Sequence, residues 1–257
     1  MLVLLSCAKT MSAVSKVKVP LTTSPRFQKE AAEIALQMSQ FSVDELERLL
    51  RVNAKIAVEN YKRYQAFHAE ATPELPALLA YTGIVFKRLN PKDFSAEDFG
   101  YAQEHLRLTS FCYGLLRPLD VIRAYRLEGD VVLPELGNQT LFSYWQSRLT
   151  DTFIEDIRSA GGILCNLASD EMKSLFDWKR VESEVRVVTP EFHVWKNGKL
   201  ATIVVYTKMS RGEMTRFILK NKIGNPEELK GFSWEGFEFD ESLSDERKLV
   251  FINGMGE

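Results

Sequence analysis

Apolar positions along this chain fall into short blocks separated by longer stretches in which they recur at helical spacing. The opening run Met1-Leu2-Val3-Leu4-Leu5 has no charged flank and is far shorter than a secretory or membrane-spanning segment, so it reads as a buried first strand over Leu2 to Leu5. Further strands are predicted at Ile84 to Phe86, Leu106 to Phe111, Ile163 to Asn166, Val185 to Val188 and Ala201 to Tyr206, several of them β-branched. Asn197-Gly198 predicts a two-residue hairpin turn between Phe192 to Trp195 and Leu200 to Val205. Helix starts are marked by Ser24-Pro25, by the capping box Ser42-Val43-Asp44-Glu45 and by Ser95 with Asp98.

Helices interleaved with strands and at least one hairpin predict an α/β fold, or mixed α+β, with a mixed sheet flanked by helices. The 257 residues, 45% of them apolar, are enough for one sizeable core. Neither a Gly/Ser linker nor an internal repeat divides them, so residues 1–257 are expected to form a single compact domain. The three cysteines, Cys7, Cys112 and Cys165, are odd in number and unclustered, which suits a reducing compartment and predicts a cytoplasmic protein.

Charge is segregated along the chain. The net charge is −2, yet Tyr206 to Lys222 carries five bases, Lys208, Arg211, Arg216, Lys220 and Lys222, against the single acid Glu213. The following segment, Glu227 to Glu246, holds eight acids and one base, Lys230. Gathering positive charge into one segment can build a local footprint for phosphates, and a solvated helix face explains the same run.

A second basic element follows the box at Ser42. Leu46, Leu49 and Leu50 predict one helix, and after Arg51-Val52-Asn53-Ala54-Lys55 a second carries Asn60, Tyr61, Lys62, Arg63 and Tyr64. Such a helix-hairpin-helix near residues 42–67 can grip a DNA backbone through free N–H groups of the second helix, with Lys55 adding charge. The hairpin lacks glycine, so Asn53 is expected to take the positive-φ position. An ordinary helical pair packed by Leu46, Leu50, Ile56 and Tyr64 accounts for the same pattern.

The candidate chemistry is polar. Ser6-Cys7-Ala8-Lys9 fits the S-x-x-K spacing of serine acyl-transferases, but it follows a strand and lacks the companion motifs. Lys9 and Thr10 at a strand end are better placed to meet an anion, although no Gly-rich loop accompanies them. Asp170 and Glu171 follow the predicted strand Ile163 to Asn166, a position where α/β proteins place functional groups and where acids also cap helices. Arg117-Pro118-Leu119-Asp120 and Tyr125-Arg126-Leu127-Glu128 each pair a guanidinium with a carboxylate, as a structural ion pair or as the wall of a polar cleft. His68, His105 and His193 are scattered, and neither a Glu-x-x-His nor a C-x-x-C spacing occurs. No dedicated metal site, cofactor or membrane partner is therefore expected. Cys7 beside Lys9 is a candidate peroxide-sensing thiol, and a small buried residue at a strand end is the simpler reading.

Several of these motifs together resemble the YaaA family of peroxide-stress proteins along nearly the whole chain. The resemblance rests on Ser6 to Thr10, Leu106-Arg107, Tyr113 to Asp120, Tyr125 to Glu128 and Asn166 to Glu171, then on Lys208, Arg211-Gly212, Met214, Arg216 and Phe217, and finally on Gly231-Phe232 and Gly236-Phe237. Cys7 stands where the family pattern usually has proline. The resemblance implies a bacterial cytoplasmic protein with the family's cantaloupe-like fold that protects against hydrogen peroxide. It also implies lower free intracellular iron and DNA binding through a positive cleft and a helix-hairpin-helix.

Residues and resemblance together predict binding of double-stranded DNA, mainly through its phosphates, by Lys9, Asn53, Lys55, Arg117, Arg126, Lys208, Arg211 and Arg216. The alternative is a DNA lyase or glycosylase in which Lys9 or Lys208 attacks a sugar aldehyde and Asp170 or Glu171 moves protons.

Overall fold

The apolar run Leu2–Leu5 forms strand β1, buried on both faces as a continuous apolar strand must be. In this computed structural model, which describes residues 1–196 and 198–254, β1 lies inside an eight-stranded mixed sheet. The other strands are β2 (Leu106–Ser110), β3 (Gly114–Leu116), β4 (Ile163–Asn166), β5 (Arg186–Lys196), β6 (Lys199–Ala201), β7 (Phe237–Phe239) and β8 (Lys248–Asn253). Their order is β7-β8-β5-β4-β1-β2-β3, with β6 paired to the far end of β5. The five strands β8, β5, β4, β1 and β2 run parallel, and β3, β6 and β7 attach antiparallel.

Seven helices position the site: α1 (Gln28–Met38), α2 (Val43–Leu50), α3 (Ala54–Ala66), α4 (Ile84–Leu89), α5 (Ala96–His105), α6 (Leu141–Ser159) and α7 (Val204–Asn221). Helix α5 packs on β1 and β2, α6 on β3 and β4, and α7 on β5 and against α4. The approach of α7 to α4 depends on Gly212, where a Cβ would fall 2.3 Å from the Val85 carbonyl oxygen. One hydrophobic core runs from Met1 to Phe251 and takes in Leu229, Phe232 and Phe237 of the acidic segment.

The capping boxes form as expected: the Ser42 backbone N–H donates to Glu45 and that of Ser95 to Asp98, opening α2 and α5. Four local readings need correction. Helix α1 starts at Gln28 and not at Ser24-Pro25, with Phe27 as an N-cap that makes no side-chain hydrogen bond. Ile84 to Phe86 is the start of helix α4, because Phe86 is buried in the core and Val85 lies against Gly212 of α7, so tertiary packing overrides strand preference. Of Ala201 to Tyr206 only Ala201 is strand, and from Val204 onward the chain is α7. The positive-φ residue between α2 and α3 is Arg51, at φ 50°, and not Asn53.

The hairpin joining β5 to β6 is present, with Lys196 opposite Lys199 and Gly198 at φ 69°, while Asn197 lies outside the described residues. Among the described residues no helix is long and apolar enough to cross a membrane.

Candidate functional site

Parallel strands bring their carboxyl ends to one edge of a sheet, and loops leaving them meet there. The segments after β1 (Ser6 to Thr10), β2 (Phe111) and β4 (Leu167 to Met172) enclose a pocket of about 320 Å³. Helix α4 and the Tyr125–Leu127 segment close two sides, and α7 lowers Lys208 and Arg211 onto the rim.

The floor is a buried network. Tyr125 Oη lies 2.7 Å from Tyr81 Oη and 2.6 Å from Ser110 Oγ, and burial pushes both phenols well above their ordinary pKa. The Tyr64 hydroxyl of α3 donates to the Arg126 carbonyl at 2.6 Å, so the α2–α3 pair fixes the segment that carries Arg126. Ser6 Oγ accepts the Ser169 backbone N–H at 2.9 Å, tying the loops after β1 and β4 together.

Four of the cations predicted from the sequence converge here: Lys9, Arg126, Lys208 and Arg211 line the pocket with the acid Glu171. Lys9 Nζ sits 2.7 Å from Glu128, whose side chain is only 5% exposed while that of Lys9 is 60% exposed. Arg126 is 3.6 Å from the same carboxylate. Arg126 Nε, Arg211 Nε and Glu128 Oε1 are all buried without a hydrogen-bond partner. Burial lowers the Arg211 pKa from its ordinary value, with Asp170 opposing the shift. A partly desolvated guanidinium of this kind is a strong anion site, because the field of its charge is weakly screened.

The other predicted residues lie elsewhere. Asp170 faces a neighbouring groove, pairs with Lys173 at 2.8 Å and is 93% exposed. Arg117 is held by Asp120 at 2.8 Å and by the Ser24 carbonyl. Arg216 donates to Asp93 at 2.8 Å and to the Leu89 and Asn90 carbonyls. Asn53 caps α3 by accepting the Ile56 N–H at 3.0 Å, and Lys55 is exposed on the first turn of that helix. Cys7 lines the pocket, and burial pushes its thiol up to about 12, so it rests as a thiol with little thiolate to react with peroxide.

Sequence reasoning misses the Lys9–Glu128 ion pair, which spans 119 positions along the chain and leaves no local signal. It also misses Arg51, which joins Asp130 through two hydrogen bonds of 2.6 and 2.8 Å beside the α2–α3 turn. Among the described residues no group of three or more His, Cys, Asp or Glu side chains is arranged to hold a metal ion.

The chain is 99% identical to a UPF0246 protein of Bacteroides thetaiotaomicron and 78% identical to UPF0246 protein BF3795 of Bacteroides fragilis, each over the full length of both chains. It is 63% identical to a UPF0246 protein of Phocaeicola vulgatus over 98% of both. A family model described as peroxide stress protein YaaA matches residues 1–243. The chain therefore belongs to the peroxide stress protein YaaA family.

Proposed function

We propose that this protein binds DNA during the peroxide response, holding backbone phosphate in the pocket at the carboxyl edge of the sheet. The observation that carries the reading is the convergence of Lys9, Arg126, Lys208 and Arg211 on one concavity. Four cations against Glu171 and Glu128 leave the cavity electropositive within a chain of net charge −2. The Lys208 and Lys9 side chains are exposed at the pocket, where charge-assisted hydrogen bonds to a phosphate oxygen are of the strong kind. The α2–α3 pair supports the same reading, since Tyr64 ties it to Arg126 and Lys55 is exposed on it. Contacts of this type read the backbone and not base edges, so binding is expected to fall steeply with salt and to depend little on sequence.

Fluorescence anisotropy with duplexes of unrelated sequence tests this. Lys208→Ala is expected to weaken all of them alike, by roughly threefold to tenfold at low salt, and Lys55→Ala to do so if the helix pair touches the same strand. Absence of binding to any DNA at low salt would sink the reading.

One observation favours a second reading, the lyase. A lysine and carboxylates share the pocket, Lys9 with Glu128 at 2.7 Å and Glu171 in the wall, whereas Asp170 lies outside it. Borohydride trapping of a Lys9 adduct on abasic DNA supports it, and no adduct with an abasic duplex that binds removes it.

A further inference from the structure

Outside the pocket, one histidine is engaged at both ring nitrogens. His193 Nε2 lies 3.1 Å from Glu191 Oε2, and its Nδ1 lies 3.1 Å from Thr202 Oγ1. Glu191 and His193 are two residues apart on β5 and so share a face, while Phe192 and Val194 alternate to the other side and are buried. Thr202 comes one position after the Ala201–Val194 pair of the hairpin, which carries it across to His193. Strand register therefore sets all three side chains, and β8 holds β5 at this level by pairing Val250 with Glu191 and Ile252 with His193. An ionised carboxylate only accepts hydrogen bonds. Glu191 thus fixes the neutral imidazole as its Nε2–H tautomer, and the Nδ1 lone pair is left to accept the Thr202 hydroxyl. Hydroxyl, imidazole and carboxylate stand in the order of a nucleophile, its base and the group that orients the base.

All three line a groove of about 380 Å³, whose walls carry Lys173, Arg211, Arg247 and Lys248 against Asp170 and Glu191. Helix α7 begins two residues after Thr202 without a side-chain N-cap, so the N–H groups of Val204, Val205 and Tyr206 have no partner within the helix. Donors of this kind stabilise a developing oxyanion. We propose that Thr202, His193 and Glu191 form a hydrolytic site for carboxylic esters whose acyl part carries a second, anionic group. Thr202 Oγ1 attacks the acyl carbon while its proton passes to His193 Nδ1, and the bond from that carbon to the alcohol oxygen breaks as the alcohol takes the same proton. Water, giving a proton to Nδ1, then cleaves the acyl-threonine, which releases the acid and restores the Thr202 hydroxyl. Glu191 touches no reacting atom and is a positioning residue, and the cations of the walls meet the substrate's free anion. This groove shares only Arg211 with the pocket, and the proposal stands whether or not the pocket holds phosphate.

The test follows hydrolysis of two fluorogenic umbelliferyl esters, the mono-adipate, which carries a free carboxylate, and the neutral hexanoate. The wild-type protein is expected to cleave the adipate faster, and Thr202→Val, which keeps the side-chain shape and removes the hydroxyl, to lose roughly a hundredfold of kcat/KM. Thr202→Ser retains most of the activity. Glu191→Gln no longer fixes the tautomer, since an amide donates as well as accepts, and it is expected to lower kcat by roughly tenfold with KM unchanged. Arg247→Ala is expected to cut the preference for adipate over hexanoate by roughly tenfold. Because a variant can lose activity by loosening the hairpin, the wild-type protein is also treated with a fluorophosphonate and its peptides are weighed, with the phosphonyl group expected on Thr202. Turnover no faster in the wild type than in Thr202→Val overturns the proposal, and so does a phosphonyl group found only on another residue. Neither result bears on DNA binding by the pocket, which the anisotropy measurements decide separately.

Discussion

Lys208 and Arg216 lie on one helix, about 12 Å apart along its axis, and differ in what holds them. Arg216 is committed to Asp93 and two backbone carbonyls, whereas Lys208 stands exposed on the pocket rim. Arg216→Ala is expected to cost about 1–2 kcal/mol of stability, read as a lower urea midpoint, and to leave DNA affinity within about twofold. A large loss of affinity with unchanged stability would instead place Arg216 on the binding face. The sequence reveals that both residues are cations in one basic run, but not which is satisfied internally, because Asp93 precedes Arg216 by 123 positions. Arg117 is more legible, since its partner Asp120 is three residues away. For Cys7 the neighbouring Lys9 suggests a stabilised thiolate, yet burial outweighs it and Lys9 turns to Glu128.

Elements are legible where their signals are local. The capping boxes at Ser42 and Ser95 place α2 and α5 within a residue, because a side chain and an N–H three positions apart decide them. The starts of α4 and α7 read as strands because Ile84-Val85 and Val204-Val205 carry strand preference; the contact of Val85 with Gly212 holds the first in a helix, whereas Val204 and Val205 are exposed and open a helix that is anchored by its later turns. Gly212 makes that contact possible, so Gly212→Ala is expected to destabilise by about 1–3 kcal/mol, since the added methyl meets the Val85 carbonyl. An unchanged thermal midpoint for this variant would contradict the packing account. The other end of α7 is fastened to α5 through Asp98, which lies 2.8 Å from Lys220 and 3.2 Å from Lys222. Burial raises the Asp98 pKa, but hydrogen bonds from Lys220, Ser95 and Lys222 outweigh it and hold the carboxyl well below the usual carboxylate range. A carboxyl depressed in the folded state contributes its stability fully above the unfolded pKa of about 3.9 and loses it as pH falls towards the folded value. Asp98→Asn should therefore lower the urea midpoint at pH 7, by an amount equivalent to about 2 kcal/mol, and the deficit should shrink between about pH 4 and pH 2. A deficit of equal size at both pH values contradicts this.

At the scale of the molecule, the order of the parallel strands creates the pocket. Placing β1 between β2 and β4 brings the loops after Leu5, Ser110 and Asn166 to one edge, and α7 crosses above them with Lys208 and Arg211. The mixed class of the fold is legible from interleaved helix and strand signals, but strand order is not, because pairing is set by packing between segments far apart along the chain. For the same reason Lys9, Arg126, Lys208 and Arg211 can be named as candidates from their types and positions, yet not sorted from Arg117 and Arg216. The central claim is that these four side chains bind phosphate together. The most direct test is the dependence of DNA affinity on salt for the wild type and for Lys9→Ala/Lys208→Ala. If the pocket holds phosphate, the slope of log affinity against log salt decreases in magnitude by roughly two for the double variant, about 0.9 for each phosphate no longer neutralised. Equal slopes in the two proteins would contradict it.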